Sequence, residues 1–308
     1  MPSEHAADLA DGVARRAAPE RGRDRWHGLL PLVPGLVFLL LFMLFPLSLS
    51  IYYSLQPNAL LPPQAASAPA ANYVYLLKRH VYVDAFLRTL RLAAYVVTGA
   101  LLLGYPTALA LRRYHARLGS TLILGLSFPI LAGPLVIVLG WMLLFIRGGP
   151  VNQLLMTLGL IGQPIVWIGT ERAVAIALIQ FTLAFVVLSI FNSLMRIDPA
   201  LIEAAGSLGA NPVRAFWYVT WPLSLPGVVS GSILAFSLAV GAFMAPHYLG
   251  GDTRLVATTL IAQFMLTAFN WELAATAAIL LVGAALVFIA VYNKAVGRLV
   301  ERRFGLHG

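Results

Sequence analysis

The chain has 308 residues, of which 60% are hydrophobic and only 11% are charged, and its mean hydropathy is +0.84. Soluble domains carry about 25% charged residues because their surfaces face water. This composition excludes a water-soluble protein and predicts an integral membrane protein that exposes most of its surface to the lipid bilayer.

The lack of cysteine and the distribution of charge exclude several kinds of site and partner. The chain has no cysteine, which excludes a disulfide framework, an iron–sulfur cluster, a thiolate nucleophile and a Cys-type zinc site. Its formal net charge is +9, yet most arginines flank apolar runs and form no basic stripe with interleaved aromatic residues. The basic charge therefore indicates membrane orientation, and no nucleic-acid partner is expected.

Charge-free stretches predict the membrane spans, because a charge at the centre of a spanning helix costs about 2.5–3.5 kcal/mol. A spanning helix also needs about 20 mainly apolar residues. Six charge-free stretches are long and apolar enough, and the spans that they predict have approximate limits at residues 29–55, 86–111, 121–146, 173–195, 223–245 and 273–293; the second span begins before Arg88 and Arg91, and its charge-free part is 92–111. The predicted fold is an all-helical membrane domain with six spans.

Two further charge-free runs are less suited to crossing the bilayer. Residues 148–170 contain Pro150, Gly162 and Pro164, which predict an outer loop with a short helix. Residues 255–271 carry threonine, glutamine and asparagine side chains, which favour an interfacial or a re-entrant segment. The sequence does not decide between these last two arrangements.

The segments around the spans complete the predicted organisation. Residues 1–28 lack hydrophobic periodicity and are expected to form a cytoplasmic tail. The first apolar stretch exceeds the length usual in a signal peptide, so residues 29–55 are interpreted as an uncleaved anchor. We expect a proline-rich periplasmic loop at residues 56–85, a transport core at 86–297 and a cytoplasmic tail at 298–308.

The distribution of basic residues predicts the orientation. Six spans place both termini on one side, together with fourteen of the 21 lysines and arginines. The positive-inside rule then places both termini in the cytoplasm. A model with eight spans places the same number of basic residues on the side of the termini, so charge does not distinguish the two models. The polarity of residues 148–170 and 255–271 favours the model with six spans.

The loop between the fourth and fifth spans, residues 196–222, carries the most specific pattern. Asp198 followed by Pro199 is a strong helix start, and we expect a short helix from 199 to 208. Gly209 is a left-handed stop signal. Asn211 and Pro212 repeat the start signal and predict a second short helix that ends before Pro222.

Small residues make the first of these helices a suitable contact surface. Ala204, Ala205 and Gly206 leave its backbone almost bare, so another protein can approach closely. Glu203 is the one charged residue of this helix. The alternative interpretation of the same residues is a solvent-exposed, well-capped helix that contacts no partner.

At these positions the chain resembles the permease subunits of bacterial ABC importers of the MetI-like superfamily. Their signature is Glu-Ala-Ala, three residues, Gly, nine residues and an Ile-x-Leu-Pro ending. It matches here at Glu203, Ala204, Ala205, Gly209 and Pro222, although Val219 and Trp221 replace its isoleucine and leucine. The resemblance extends over about residues 86–293. Leu249, Gly250, Gly251, Asn270 and Trp271 are most similar to permeases for polyamines.

The resemblance implies a role for the loop and a set of partners. In this family the loop forms a coupling helix that docks on a cytoplasmic ATPase, and Glu203 would lie at the contact. The implied complex contains an ATPase dimer, a second permease that is a homologous but different chain, and a periplasmic or extracellular solute-binding protein. Nucleotide-driven closure of the ATPases would drive alternating access in the bacterial inner membrane.

Nucleotide chemistry is expected on a partner. A Walker A loop needs Gly-x-x-x-x-Gly-Lys-Ser/Thr, and the two lysines of the chain, Lys78 and Lys294, neither follow glycine nor precede serine or threonine. ATP and Mg²⁺ are therefore expected on the ATPase subunits, with no cofactor in this chain.

Five polar residues are candidates for the substrate pathway: Gln180, Asn192, Gln263, Asp84 and Glu272. Hydrogen bonding between helices is the alternative for the three amides, and roles at helix ends are the alternative for the two carboxylates. Arg88 and Arg91 share a helix face and would instead favour an anion if they met the pathway.

Aromatic residues offer another way to bind a cation. Phe243, Tyr248 and Trp271 could form an aromatic box for an ammonium group, although aromatic residues at span ends commonly form an interfacial belt.

The remaining functional alternatives differ in class. A polyamine-type solute is the leading substrate, and an anionic organic solute such as an aminophosphonate is the second. An autonomous channel would explain the spans but not the loop. A membrane-embedded enzyme would need a clustered nucleophile and base, whereas the six histidines are scattered along the chain.

Overall fold

The computed structural model describes residues 32–58, 70–251 and 255–304, and these residues contain helices and connecting turns without a strand. The predicted amino-terminal tail, the start of the first span, residues 59–69 of the proline-rich loop, residues 252–254 and residues 305–308 lie outside the described part. Its helices are α1 (Val33–Ser54), α2 (Ala71–Lys78), α3 (His80–Tyr114), α4 (Thr121–Phe145), α5 (Pro150–Thr157), α6 (Glu171–Met195), α7 (Pro199–Ser207), α8 (Pro212–Val240), α9 (Met244–Leu249), α10 (Ala257–Thr267) and α11 (Trp271–Phe304).

Six of these helices are long and apolar enough to cross a membrane, namely α1, α3, α4, α6, α8 and the Trp271–Arg298 part of α11. They correspond in order to the six predicted spans, which confirms the six-span, all-helical fold.

Helix α1 belongs, up to Tyr52, to a compact unit of its own. It is apolar on every side, and Phe38, Leu41 and Phe42 are each about 60% exposed. Such a helix suits a lipid environment, in which exposed apolar surface has no cost.

Helices α3 and α4 form an antiparallel pair within one helical stretch, His80–Phe145. Leu92 of α3 shares a buried cluster with Phe145 of α4, while Leu111 packs in a second cluster with Leu126. The start of α3 is therefore at the same end of the bundle as the end of α4, and the chain reverses its direction between the two helices. Gly133 interrupts α4 with a φ of 77°, directly before Pro134.

Helix α6 lies at the centre of the bundle and packs against α3 and α8. The approach to α8 is closest at Gly227, where an added Cβ would lie 2.6 Å from the Ser189 carbonyl oxygen and 3.0 Å from the Ile190 Cα. Small residues permit such backbone contact between membrane helices and are enriched there for that reason.

The prediction that the helix starting at Pro212 ends before Pro222 is wrong. Helix α8 continues to Val240 through a π-helical turn at Phe216–Thr220, in which the Trp221 N–H donates to the Phe216 carbonyl. A π turn shifts the backbone hydrogen-bond register by one residue and so accommodates irregularity next to a proline, which has no N–H to donate. The loop is therefore continuous with a membrane span.

The two apolar runs that were not predicted as spans form short elements. Helix α5 lies in the connection before α6, and buried Asn152 fastens that connection through hydrogen bonds to the backbone and indole of the 165–167 segment. Helix α10 is about 16 Å long, which is too short to cross a bilayer. It packs through Leu260 and Phe264 against α2 and α11.

The bundle has two ends. The loop end comprises the end of α3, the end of α6, α7 and the start of α8. The distal end comprises the starts of α3, α6 and α11 together with the end of α8. Asn58 and Asn270 exchange buried side-chain hydrogen bonds of 2.8 and 3.0 Å at the distal end, and they join the segment after α1 to the turn before α11.

Candidate functional site: the α7 surface and the distal polar groups

Helix α7 has the start and stop that its sequence predicts. The Asp198 carboxylate accepts a 2.9 Å hydrogen bond from the Ala200 N–H, and Pro199 occupies the first turn. Gly209 ends the helix with a φ of 85°. Asn211 then caps α8 by accepting a 2.8 Å bond from the Arg214 N–H. These caps fix the direction of the short helix relative to α8.

The outward surface of α7 and of the first turns of α8 is exposed and largely apolar. No residue of α7 is buried, and Glu203, Ala204 and Gly206 are all exposed. Around them lie large apolar side chains with high exposure: Leu201 (48%), Leu208 (89%), Val213 (63%), Trp217 (54%) and Tyr218 (77%). We call these residues, with Glu203, Ala204 and Gly206, the α7 surface. A concentration of exposed apolar side chains beside charged groups is typical of a protein-binding surface.

The opposite side of this loop is firmly attached to the bundle. Ile197, before α7, is 5% exposed, and its carbonyl accepts a 3.3 Å hydrogen bond from the Arg112 guanidinium of α3. In the sequence, Arg112 is one of the fourteen basic residues that indicate the orientation of the chain in the membrane. Its second role depends on the packing of α3 beside the loop, which spacing along the chain does not reveal.

An aromatic cluster strengthens this attachment. The Tyr105 ring of α3 packs edge-on against Phe216 and lies 5.1 Å from the ring of Trp221. Its hydroxyl forms a 2.8 Å hydrogen bond with the Ser224 hydroxyl of α8. A displacement of the loop would therefore be transmitted to both α3 and α8.

The amides predicted for the substrate pathway are not brought together. The Gln180 side chain accepts a 2.7 Å hydrogen bond from the Trp141 indole, which joins α6 to α4. Asn192 is exposed about 18 Å further along α6, near the loop end. Gln263 is exposed on α10 at the distal end.

The charged candidates lie at the distal end. Asp84 is exposed near the start of α3, and Glu272 is half-buried in the first turn of α11. Sequence patterns did not predict the ion pair at this end of the bundle. Glu171, in the first turn of α6, forms an ion pair with Arg91 of α3 at 2.6 Å. This pairing neutralises one of the two arginines expected to favour an anion.

The three aromatic residues considered for a cation-binding box do not all line one cavity. Phe243 and Tyr248 line a common cavity, but His247 accompanies them, and Trp271 is absent from the described lining. No group of three or more metal-ligating His, Asp or Glu side chains occurs within the described residues.

Comparison with protein families decides the class of the chain. Residues 100–304 match the family of binding-protein-dependent transport system inner membrane components. The chain belongs to this family. It is therefore a permease subunit of an ABC importer and a multi-pass inner-membrane transport protein, as its sequence predicted.

Curated members of the permease family have similar sequences. The spermidine/putrescine transport system permease PotB of Haemophilus influenzae is 30% identical over 75% of this chain and 81% of its own length. PotB of Escherichia coli K12 is also 30% identical, over 76% of this chain and 85% of its own. The putrescine permease PotI of Escherichia coli K12 is 28% identical over 82% of this chain and 87% of its own.

Solved permease structures share the fold. A chain of a bacterial alginate ABC transporter aligns with a TM-score of 0.71 at 18% identity, over 91% of this chain and 96% of its own. A chain of the methionine ABC transporter MetNI aligns with a TM-score of 0.57 at 20% identity, over 74% of this chain and 97% of its own. These alignments confirm the MetI-like fold that the Glu203 motif implied.

Proposed function

We propose that this permease imports a polyamine-type solute by ATP-driven alternating access, with the α7 surface as the contact for a cytoplasmic ATPase. The observation that carries the proposal is the continuity between this surface and the bundle. The surface that contains Glu203 is exposed, while its supporting residues join α3, α6 and α8. A partner that pushes on α7 would thus move the three most closely packed helices together.

The α7 surface has the chemistry of a coupling contact. Its exposed apolar side chains provide buried area on docking, while Glu203 offers one carboxylate for a charge-assisted hydrogen bond from the partner. The bare backbone at Ala204, Ala205 and Gly206 allows close approach. The second permease in this scheme is a homologous but different chain.

The orientation in this proposal places the loop end in the cytoplasm. Arg112, Arg113, Arg196 and Arg214 all lie at this end, which agrees with the positive-inside rule. Both termini are then cytoplasmic, and the ATPase dimer supplies the sites for ATP and Mg²⁺. The distal end faces the periplasm and receives the solute from a solute-binding protein.

Alternating access follows from this arrangement as a rocking motion. When two ATPases close on nucleotide, they draw the coupling helices of both permeases together and change the angle between the two bundles. Gly227 and Gly231 keep α6 and α8 in close backbone contact, so these two helices would move as one body. The pathway would open toward one side of the membrane at a time.

The polyamine assignment rests on sequence similarity to permeases named for spermidine and putrescine. At the distal end, Asp84 and Glu272 are carboxylates that could attract a cationic amine, and Arg91 is already paired with Glu171. An anionic aminophosphonate is the alternative substrate, and its uptake is measured in the same experiment.

The test is uptake by proteoliposomes that contain the complete complex. Spermidine uptake should require ATP and the solute-binding protein, and it should disappear when the ATPase is omitted or carries a hydrolysis-deficient mutation. Uptake without the ATPase would indicate a channel instead. ATP-dependent uptake of 2-aminoethylphosphonate, unaffected by excess spermidine, would overturn the polyamine assignment.

A further inference from the structure

A cavity of about 430 Å³ lies at the distal end between α9 and α10, within the size range of small-molecule sites. Phe243, His247 and Tyr248 form one of its walls, and Gln263 and Thr267 belong to the other. We infer that this cavity binds the ammonium group of an organic amine before the solute enters the bundle. The inference deepens the proposed import of a polyamine and rests on it.

The first wall contains three neighbouring aromatic rings. The His247 ring stacks on Phe243 with centroids 5.1 Å apart and an interplanar angle of 19°, and it meets Tyr248 edge-on at 4.9 Å. Phe243 and Tyr248 can attract a cation through the faces of their π systems. The stacking restricts the rings, so less side-chain entropy is lost when a ligand binds.

The second wall provides hydrogen-bond acceptors. Gln263 is exposed at the junction of the α-helical and π-helical parts of α10, and its amide oxygen can accept a hydrogen bond from an ammonium group. Thr267 adds a hydroxyl oxygen four residues later. Among the described lining residues none is a lysine or arginine, so no fixed positive charge of these residues opposes an ammonium group in the cavity.

Both walls are fastened to membrane spans. The Gly169 N–H, just before α6, donates a 2.8 Å hydrogen bond to the Leu249 carbonyl at the end of α9. On the other side, the Ala257 N–H donates to the Thr89 hydroxyl of α3, and the Thr258 hydroxyl donates to the Ala242 carbonyl after α8, each at 2.8 Å. A rocking motion of these spans would therefore change the width of the cavity.

The turn after α9 explains why the sequence contains two glycines there. An added Cβ at Gly250 would lie 2.5 Å from the Pro246 carbonyl oxygen, and Gly251 has a φ of 68°. A Cβ at Gly251 would also lie 3.1 Å from the Gly169 Cα. Larger residues would push this turn away from the segment before α6 and open the cavity wall.

The absence of cysteine from the chain permits a direct test, because Leu266→Cys introduces a unique thiol at a lining residue that is not one of the proposed amine contacts. In the complete complex, reconstituted with cysteine-free partners, a membrane-impermeant cationic thiol reagent should label this cysteine. Spermidine at ten times its dissociation constant should slow labelling about tenfold by occupying the cavity. Gln163→Cys, in the exposed connection before α6, is the matched control and should label at the same rate with and without spermidine.

Each other outcome has a defined meaning. If Leu266→Cys is not labelled, or if spermidine leaves its labelling rate unchanged, the cavity is not an amine site. Protection by 2-aminoethylphosphonate but not by spermidine would also overturn the inference. If wild-type proteoliposomes import spermidine while labelling is unprotected, the site fails and the proposed function stands. If they import no polyamine, the proposed function fails.

A second variant tests the aromatic wall. Phe243→Leu retains an apolar side chain but removes the π face, and it should weaken spermidine protection of Leu266→Cys between about twofold and thirtyfold. Tyr248→Phe retains the ring and should preserve protection. Full protection in the Phe243→Leu variant would show that the ring does not bind the amine.

Discussion

The Arg91 guanidinium donates hydrogen bonds to both carboxylate oxygens of Glu171, at 2.6 and 2.8 Å. This ion pair joins α3 to the first turn of α6 at the distal end. Arg91 is 50% exposed and Glu171 is 21% exposed, so solvent weakens the attraction without removing it. Glu171 also lies where the dipole of α6 favours a negative charge.

A double-mutant cycle should measure this interaction. We expect Arg91→Ala and Glu171→Ala to show a coupling energy of about 0.2–1 kcal/mol in thermal unfolding of the purified permease. Glu171→Ala should cost more than Arg91→Ala, because it also removes the favourable charge at the start of α6. The coupling should decrease at high salt. Additive single mutants would show that the pair contributes nothing to stability.

The six spans and the capped loop could be predicted because both depend on local sequence. A charge-free stretch of sufficient length specifies a span whatever its neighbours are. Asp198, Pro199 and Gly209 specify a helix start and stop through bonds within a few residues. The continuation of α8 past Pro222 could not be foreseen from these rules, because the π turn at Phe216–Thr220 changes the expected register.

Contacts between distant residues were not predictable from the chain alone. Arg91 and Glu171 are 80 positions apart, and Trp141 and Gln180 are 39 apart. Polarity within a span marked Gln180 as a candidate, but only the packing of α4 against α6 identifies its partner. The possible aromatic box included Trp271 and not His247, because aromatic composition does not reveal which side chains line the same cavity.

Charge reversal at Glu203 tests the α7 surface. Glu203→Lys should leave the unfolding temperature almost unchanged, since exposed substitutions usually alter stability by less than about 0.5 kcal/mol. It should reduce ATP-dependent uptake at least tenfold, about 1.4 kcal/mol or more, because a cation replaces the carboxylate that we propose contacts the ATPase. Uptake and ATPase stimulation would be measured in proteoliposomes. The matched control, Gln163→Lys, adds a lysine at an exposed distal position and should transport normally. Normal uptake by Glu203→Lys would remove its coupling role.

Two glycines of the loop should respond in opposite ways. A Cβ at Gly206 meets no atom within 4 Å, so Gly206→Leu should preserve or slightly raise stability through better helix propensity. It should nevertheless weaken ATPase binding by obstructing the bare backbone. Gly209→Ala should instead cost about 1 kcal/mol, because φ at this position is 85°. Thermal unfolding and titration with the isolated ATPase would separate the two effects. Unaltered ATPase affinity in Gly206→Leu would exclude close contact at that position.

The close approach of α8 to α6 predicts that a single added methyl group will be destabilising. In Gly227→Ala the new Cβ would lie 2.5 Å from the Ser193 Cβ and 2.6 Å from the Ser189 carbonyl oxygen, so the two helices must separate. We expect a loss of about 1–3 kcal/mol in unfolding free energy, typical of overpacking. Gly140→Ala is the matched control, because no atom lies within 4 Å of its added Cβ and alanine favours a helix. Uptake should fall in Gly227→Ala alone, since a separated α6–α8 pair would no longer follow the loop as one body. Equal stability and uptake in the two variants would show that α6 and α8 can separate without consequence. The proposal that these helices move with α7 as one rigid body would then be wrong.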